Sequence, residues 1–277
     1  MKIFNAIENA NIIPLLYEKT QAKINVLMSY PLLKGNAYKL TKEFRGMIDL
    51  LYLDSGAFSA SKGRLRLTVS EYRRYIKRYG HLFDAVFNLD DKFDNPDHNF
   101  NNQAYLEEAL SEMSVRPIPV IHDKDDPFEE FEIYAKQGHA YIAVGSNSKL
   151  PDDVYKKIRD NYPDVNIHMF GSLNRKMLMG HKPFSADATT WAVQAGNGSF
   201  YYWDPIDQKD YLIYIGEREP KDESIRIFEN FPHKAELEAF LSEKFGYDHN
   251  DLRTNTEARR IVNLFFFKQL EDFLNAN

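Results

Sequence analysis

AYIAVGSNSKLPDDVYKKIRDNYPDVNIHMFGS (140–172) carries the pattern that decides the fold. Its two ends, AYIAVGS (140–146) and NIHMFGS (166–172), are short apolar runs that stop at small or polar residues. Between them PDDVYKKIRDNYP (151–163) has the spacing of an amphipathic helix. Strand, helix and strand in so few residues make a crossover unit that lays two strands side by side in parallel.

The same alternation extends in both directions. INVLMSY (24–30), DLLYLDSG (49–56), FDAVFNLD (83–90), PIPVIH (117–122) and FSADAT (184–189) are further apolar runs bounded by Gly, Pro, Asp or Ser. SEYRRYIKRYG (70–80), NNQAYLEEALSEM (101–113) and FEEFEIYAKQG (128–138) are helical stretches between them. Continuous rather than alternating apolar runs belong to strands covered on both faces. Seven strands in series predict an α/β fold of the TIM-like (β/α)8 barrel type, which needs roughly 250 residues, and the 277 available suffice. GSFYYWD (198–204) and DYLIYIGE (210–217) are the candidates for the eighth strand, or else pair as a hairpin appended to the barrel. Residues 233–246 and 254–275 read as helices, with LFFF (264–267) on a buried face, so the expected division is a barrel over 1–230 and a C-terminal helical extension over 231–277.

Composition narrows the chemistry. Hydrophobic content of 43% and charged content of 27% are those of a globular protein, and the absence of cysteine excludes disulfides and thiolate metal sites. The N-terminal MKIFNAIENANIIPLL lacks the apolar run of a secretory signal, and no stretch approaches the roughly 18 apolar residues of a membrane span; a cytoplasmic protein without a membrane partner is expected. The formal charge of −6 conceals one basic segment, KGRLRLTVSEYRRYIKRYGH (62–81), whose only acid is Glu71. Its tyrosines, Tyr72, Tyr75 and Tyr79, repeat at helical spacing, so it is either a surface helix with solvated arginines or a face that tracks phosphates through Lys62, Arg64, Arg66 and Arg73.

In a barrel the active site is built on the rim at the C-terminal ends of the strands. Those ends carry Ser29, Asp54-Ser55-Gly56, Asp90-Asp91, His122-Asp123, Gly145-Ser146, His168 with Gly171, and Asp187. An Asp after a strand is often only the cap of the next helix, but so many strands ending this way point to a shared mouth. Three inward carboxylates support two chemistries. Asp54, Asp90, His122, His168 and Asp187 would serve a metal-dependent hydrolase. Without a metal or other cofactor, the acids divide the labour of glycosidic cleavage among a nucleophile, an acid/base and acceptors for base N–H groups. The histidine spacing matches no metal motif and leaves both open.

The order of these strand ends resembles the tRNA-guanine transglycosylase superfamily, most of all its compact DNA-acting relatives. LDSGAFSA (53–60), NLDDKFD (88–94), YIAVGS (141–146), IHMFGS (167–172) and SADATTW (185–191) are similar to five motifs of that family, in the family's order, over roughly residues 24–200. The resemblance implies that Asp187 attacks C1′ and forms a covalent sugar intermediate, with Asp54 and Asp90 facing the base. It further implies a base pocket bounded by Ser55, Gly56, Phe58, His122, Tyr141, Ala143, Val144, Gly145, His168, Phe170 and Trp191. The chain departs from the family in three ways. It lacks the cysteines of the zinc module, has Ala140-Tyr141 where a Gly-Gly pair stands, and has no Gln near His122 to read guanine. These departures turn the expected substrate from tRNA to DNA and from guanine to a modified or different base. Attack by a free 7-deazaguanine base on the intermediate would make the enzyme a transglycosylase. Attack by water would make it a DNA glycosylase that leaves an abasic site, as suits defence against phages with modified bases. A catalytically inert nucleic-acid-binding relative is a third reading.

Overall fold

INVLMS, the strand β2 (Ile24–Ser29), is buried at every position but its last, as a strand covered on both faces requires. The computed structural model describes residues 1–61, 67–113, 115–122, 125–145, 150–216 and 225–276. Around β2 stand β1 (Lys2–Ala6), β3 (Ile48–Asp54), β4 (Ala85–Val86), β5 (Val120–Ile121), β6 (Tyr141–Val144), β7 (Asn166–Met169) and β8 (Ser185–Ala188). Their order is β4-β3-β2-β1-β8-β7-β6-β5, with parallel pairing between neighbours. A parallel bridge between Phe87 and Ile118 joins the two ends, with Ile118 N–H on the Val86 carbonyl and Asn88 N–H on the Ile118 carbonyl, each at 2.8 Å. The strands therefore close as an eight-membered barrel in sequence order.

The eighth strand is the N-terminal KIFNA, in place of the candidates at 198–204 and 210–217. Phe4 pairs with Asn25 on one side and with Asp187 on the other, so β1 stitches the last strand to the first. Five residues with a Lys and an Asn carry little β signal of their own. Pairing on both edges supplies it.

Two compact units divide the chain: Met1–Glu8 with Asn25–Ala188, and Asn9–Ile24 with Thr189–Asn277. The first holds the barrel and the helices α2 (Ala57–Ser61), α3 (Val69–Tyr79), α4 (Pro96–Leu110), α5 (Pro127–Lys136), α6 (Asp152–Asn161) and α7 (Arg175–His181). Asp126 caps α5 by accepting from Glu129 N–H at 2.9 Å, ahead of Pro127 in the first turn, where the missing proline N–H costs nothing. Inside the barrel, period-2 alternation sends Phe4, Leu27, Tyr52, Phe87, Ile118, Val120 and Ala143 into one apolar cluster. That cluster fills the barrel interior, while the polar residues of the strand ends stand at the mouth.

The second unit contains α1 (Ile12–Thr20), α8 (Thr190–Gly196), α9 (Lys234–Phe245), α10 (His249–Thr254) and α11 (Thr256–Ala276), together with β9 (Ser199–Asp204), β10 (Lys209–Tyr214) and β11 (Arg226–Ile227). β9 and β10 form an antiparallel hairpin and join β11 in a separate three-stranded sheet, which settles the alternative left open for these segments. Leu264, Phe266 and Phe267 of α11 are buried, and the Phe265 ring meets Phe245 edge-on at 5.5 Å. Asn263 ties the unit together: its side chain accepts from Tyr201 N–H at 2.7 Å and donates to the Trp191 carbonyl at 2.8 Å. No helix among the described residues is long and apolar enough to cross a membrane.

Candidate active site

Three acids share the barrel mouth, and each is held differently. Asp54 ends β3, and both of its hydrogen bonds fall on one oxygen: Ser29 Oγ–H donates to Oδ2 at 2.7 Å and Gly56 N–H at 3.1 Å. Gly56 has φ +80, and a Cβ there would lie 2.4 Å from Pro31 Cδ, so the turn that aims this N–H requires glycine. Asp90, beyond β4, is engaged at both oxygens, by Ser55 Oγ–H at 3.1 Å and by His122 Nε2 at 2.6 Å. Asp187, in β8, accepts from Gly171 N–H at 3.1 Å on Oδ1, and His168 Nε2 stands 3.5 Å from the same oxygen. Asp54 Oδ1 and Asp187 Oδ2 thus have no protein hydrogen bond among the described residues.

Burial and the neighbouring charges of Asp90 and Asp187 push the Asp54 carboxyl up to about 7, against the opposing effect of the Ser29 and Gly56 hydrogen bonds. Like charges crowded into a poorly solvated mouth cannot all ionise at low cost, so one acid keeps its proton. A carboxyl that keeps its proton near neutrality beside an acid held at one oxygen has the makings of a general acid paired with a nucleophile.

His122 is the second fixed point. Its backbone N–H donates to Glu130 Oε2 at 2.7 Å, its ring packs tilted against Phe93 with centroids 4.6 Å apart, and only 4% of it is exposed. The ring lies where a side chain at 145 would go: a Cβ on Gly145 would meet His122 Cε1 at 2.1 Å. Gly145→Ala is therefore expected to push His122 off Asp90 and to cost roughly 1–3 kcal/mol through overpacking. Thermal denaturation of the variant, with pH–rate profiles alongside, checks both effects.

The remaining predicted pocket residues divide between the rim and other places. Ser55 and Phe170 are at the mouth level, the latter with its ring 4.5 Å from His168. Ala143 faces the barrel interior, whereas Val144 takes the opposite face of β6 and contributes its carbonyl to Phe170 N–H at 3.0 Å. Phe58 lies on α2 and is 48% exposed. Tyr141 starts β6 at the floor of the barrel, four residues below Gly145, with its hydroxyl on Ser185 Oγ at 2.5 Å. Trp191 is buried in the second unit, at the start of α8. Asp91 is engaged by His98 Nε2 at 3.0 Å and Asn102 Nδ2 at 3.2 Å.

Of the phosphate candidates, Lys62, Arg64 and Arg66 lie outside the described residues, as do Asp123 and Ser146. Arg73 lies over the Tyr105 ring at 5.2 Å, in a groove between α3 and α4 that Glu108 and Glu112 also line. Tyr72 is fully buried and donates to the Phe87 carbonyl at 2.8 Å, so the tyrosine stripe of α3 packs inward while Arg74, Lys77 and Arg78 are exposed.

The metal-hydrolase alternative needs three donor atoms converging on one point. Among the described residues, the cluster whose donor atoms all lie within 4.8 Å of one another is Asp204, Asp207 and His233, in the second unit. Asp54, Asp90, His122, His168 and Asp187 do not supply such a group.

Ser185 and Glu130 were not anticipated as parts of this region. Ser185 was within reach of the sequence, because it stands two residues before Asp187 and period-2 alternation puts both on the inward face. Glu130, on α5, had no comparable signal.

Solved structures match the chain at the level of fold. A protein from Coccidioides immitis described as a fructose-1,6-biphosphate aldolase superposes with a TM-score of 0.56 at 10% identity, covering 100% of this chain and 93% of its own. Orotidine 5'-monophosphate decarboxylase from Metallosphaera sedula gives 0.43 at 10% identity, over 68% of this chain and 87% of that one. Fructose-bisphosphate aldolase from Campylobacter jejuni gives 0.46 at 12% identity, over 72% and 74%. No protein-family model matches the chain, and no curated protein does. None of these comparisons names a transglycosylase; the superposition at 0.56 supports the TIM-like barrel fold.

Proposed function

We propose that this protein cleaves the N-glycosidic bond between a nucleobase and its sugar in nucleic acid, DNA above all, with Asp187 as nucleophile. The observation that carries the reading is the unequal treatment of the three acids. Asp187 is gripped at Oδ1 only, Asp90 is engaged at both oxygens, and Asp54 titrates near neutrality. In the first step Asp187 Oδ2 bonds to C1′ as the C1′–N bond breaks. The bonding pair leaves with the base, which takes the Asp54 proton. In the second step water attacks C1′, gives its proton to the Asp54 carboxylate and releases Asp187, leaving an abasic site. In the exchange version, the ring N–H of an incoming 7-deazaguanine replaces water. Both steps pass through oxocarbenium character, which a neighbouring carboxylate stabilises. The nucleotide must leave its stack to enter a barrel mouth. The choice of DNA rests on the five motifs and the missing zinc ligands rather than on the geometry.

The test is incubation with duplex and single-stranded DNA carrying normal or hypermodified bases, with no base added. Abasic sites are the expected product of hydrolysis. Base replacement only after 7-deazaguanine is supplied would assign the exchange branch. Absence of both, with no covalent protein–DNA adduct detectable by mass spectrometry, overturns the proposal.

A further inference from the structure

Beneath Asp187 the barrel interior holds polar side chains contributed by four strands. His168 Nδ1 is 2.6 Å from Ser185 Oγ, and Ser185 Oγ is 2.5 Å from the Tyr141 hydroxyl, which also shares a hydrogen bond with Tyr52. His168 and Ser185 have no exposed surface. The other ring nitrogen, His168 Nε2, faces Asp187 Oδ1 at 3.5 Å. Around the imidazole the remaining walls are Phe4, Phe87 and Phe170, with ring centroids at 6.1, 4.9 and 4.5 Å. The titratable groups that act on this ring are therefore Asp187 directly, and Tyr141 and Tyr52 through Ser185.

A neutral imidazole carries one N–H, and its position follows from what faces the other nitrogen. A bare lone pair on Nε2 would repel an ionised Asp187; an N–H there would hold it. With the N–H on Nε2, facing Asp187, Nδ1 is the acceptor for Ser185 O–H, and Ser185 Oγ accepts in turn from the Tyr141 hydroxyl. Burial and the adjacent Tyr52 raise the Tyr141 phenol well above its ordinary value, so it stays a donor across the working range.

We infer that Ser185 and Tyr141 are positioning residues. They fix His168 as the Nε2–H tautomer, which turns its N–H toward Oδ1 of Asp187, the oxygen that Gly171 N–H holds, and leaves Oδ2 for the reaction. A buried partner that orients the reacting group's partner is a recurring device in catalytic sites. The kinetic consequence rests on Asp187 being the nucleophile; the tautomer does not.

The experiment is nitrogen NMR of protein labelled with ¹⁵N-histidine, for wild type, Ser185→Ala and Tyr141→Phe, with His168→Gln assigning the resonances. Tyr141→Phe keeps the ring and loses only the hydroxyl, so it serves if Ser185→Ala does not fold. In the wild type, Nε2 is expected to show the protonated, pyrrole-type signal with one-bond proton coupling, and Nδ1 the pyridine-type signal. In the variants that distinction should collapse toward a tautomer mixture, and kcat for base release should fall about 10- to 100-fold with KM little changed. A proton on Nδ1 in the wild type, or an unaltered Nε2–H signal in both variants, overturns the inference. If Asp187→Asn leaves base release intact while the tautomer behaves as described, the nucleophile assignment fails and the positioning role of the hydroxyls stands.

Discussion

Replacing Asp187 by Asn is expected to remove base release, by a factor on the order of 10⁴ or more, without unfolding the protein. Asn is isosteric and keeps an oxygen for Gly171 N–H, which sits 3.1 Å from Oδ1 in the wild type. It has neither the charge that stabilises a developing oxocarbenium ion nor the nucleophilicity to trap it. Both losses act in the transition state, so kcat falls rather than KM rising. The measurement is single-turnover release of base from an oligonucleotide, with circular dichroism and thermal melting showing that the variant is folded. Mass spectrometry of the wild type quenched in mid-reaction should find a protein–oligonucleotide adduct on the peptide containing Asp187, absent from the variant. Release within tenfold of wild type would remove Asp187 from the chemistry.

Asp54→Asn has the second largest effect, and its signature is a pH profile. With its carboxyl pushed up to about 7, Asp54 is protonated below that value, and in the proposed mechanism it is the acid for the departing base. The wild-type rate is expected to fall about tenfold per pH unit above 7, as expected for a single required proton. The variant, lacking that proton, is slower by roughly 10²- to 10⁴-fold at low pH and flat across the same range. Stability gives an independent readout of the same titration. In the unfolded chain the carboxyl ionises near 3.8, while in the fold it holds its proton to about 7. Between these values the unfolded state binds fewer protons, so native stability falls as pH rises and levels off above 7. Asp54→Asn escapes this loss. Its melting temperature relative to wild type should climb between pH 4 and 7 and then stay constant. A constant difference over the whole range would mean that Asp54 titrates normally in the fold.

The strands, the crossover helices and the rim were legible in the sequence because each is a local pattern. Apolar runs at 24–30, 49–56, 140–146 and 166–172 report strands whose faces are both covered, and their polar last residues report where the covering stops. Asp54, Asp90, His122 and Asp187 were reached in this way, from position on a strand alone. The N-terminal strand was not, since KIFNA becomes a strand by pairing with β2 and with a segment some 180 residues away. Tyr141 reads as a rim residue if only its neighbourhood in sequence is considered. Its place at the foot of β6 follows from the register Tyr141↔Asn166 and His168↔Ser185, which no local pattern specifies.

What the residue order determined by itself was the repeating strand–helix unit, the barrel it builds and the set of acids at one end, because hydrophobic periodicity and chain direction need no partner to be read. The tertiary structure alone decided what each acid is able to do. Asp54 holds its proton because the mouth buries it and Asp90 and Asp187 arrive from other strands, Asp187 is held at one oxygen because Gly171 N–H stands beside it, and Asp90 is occupied by Ser55 and His122. Charge and hydrogen bonding act through space over a few ångströms, and closure of the barrel creates those distances.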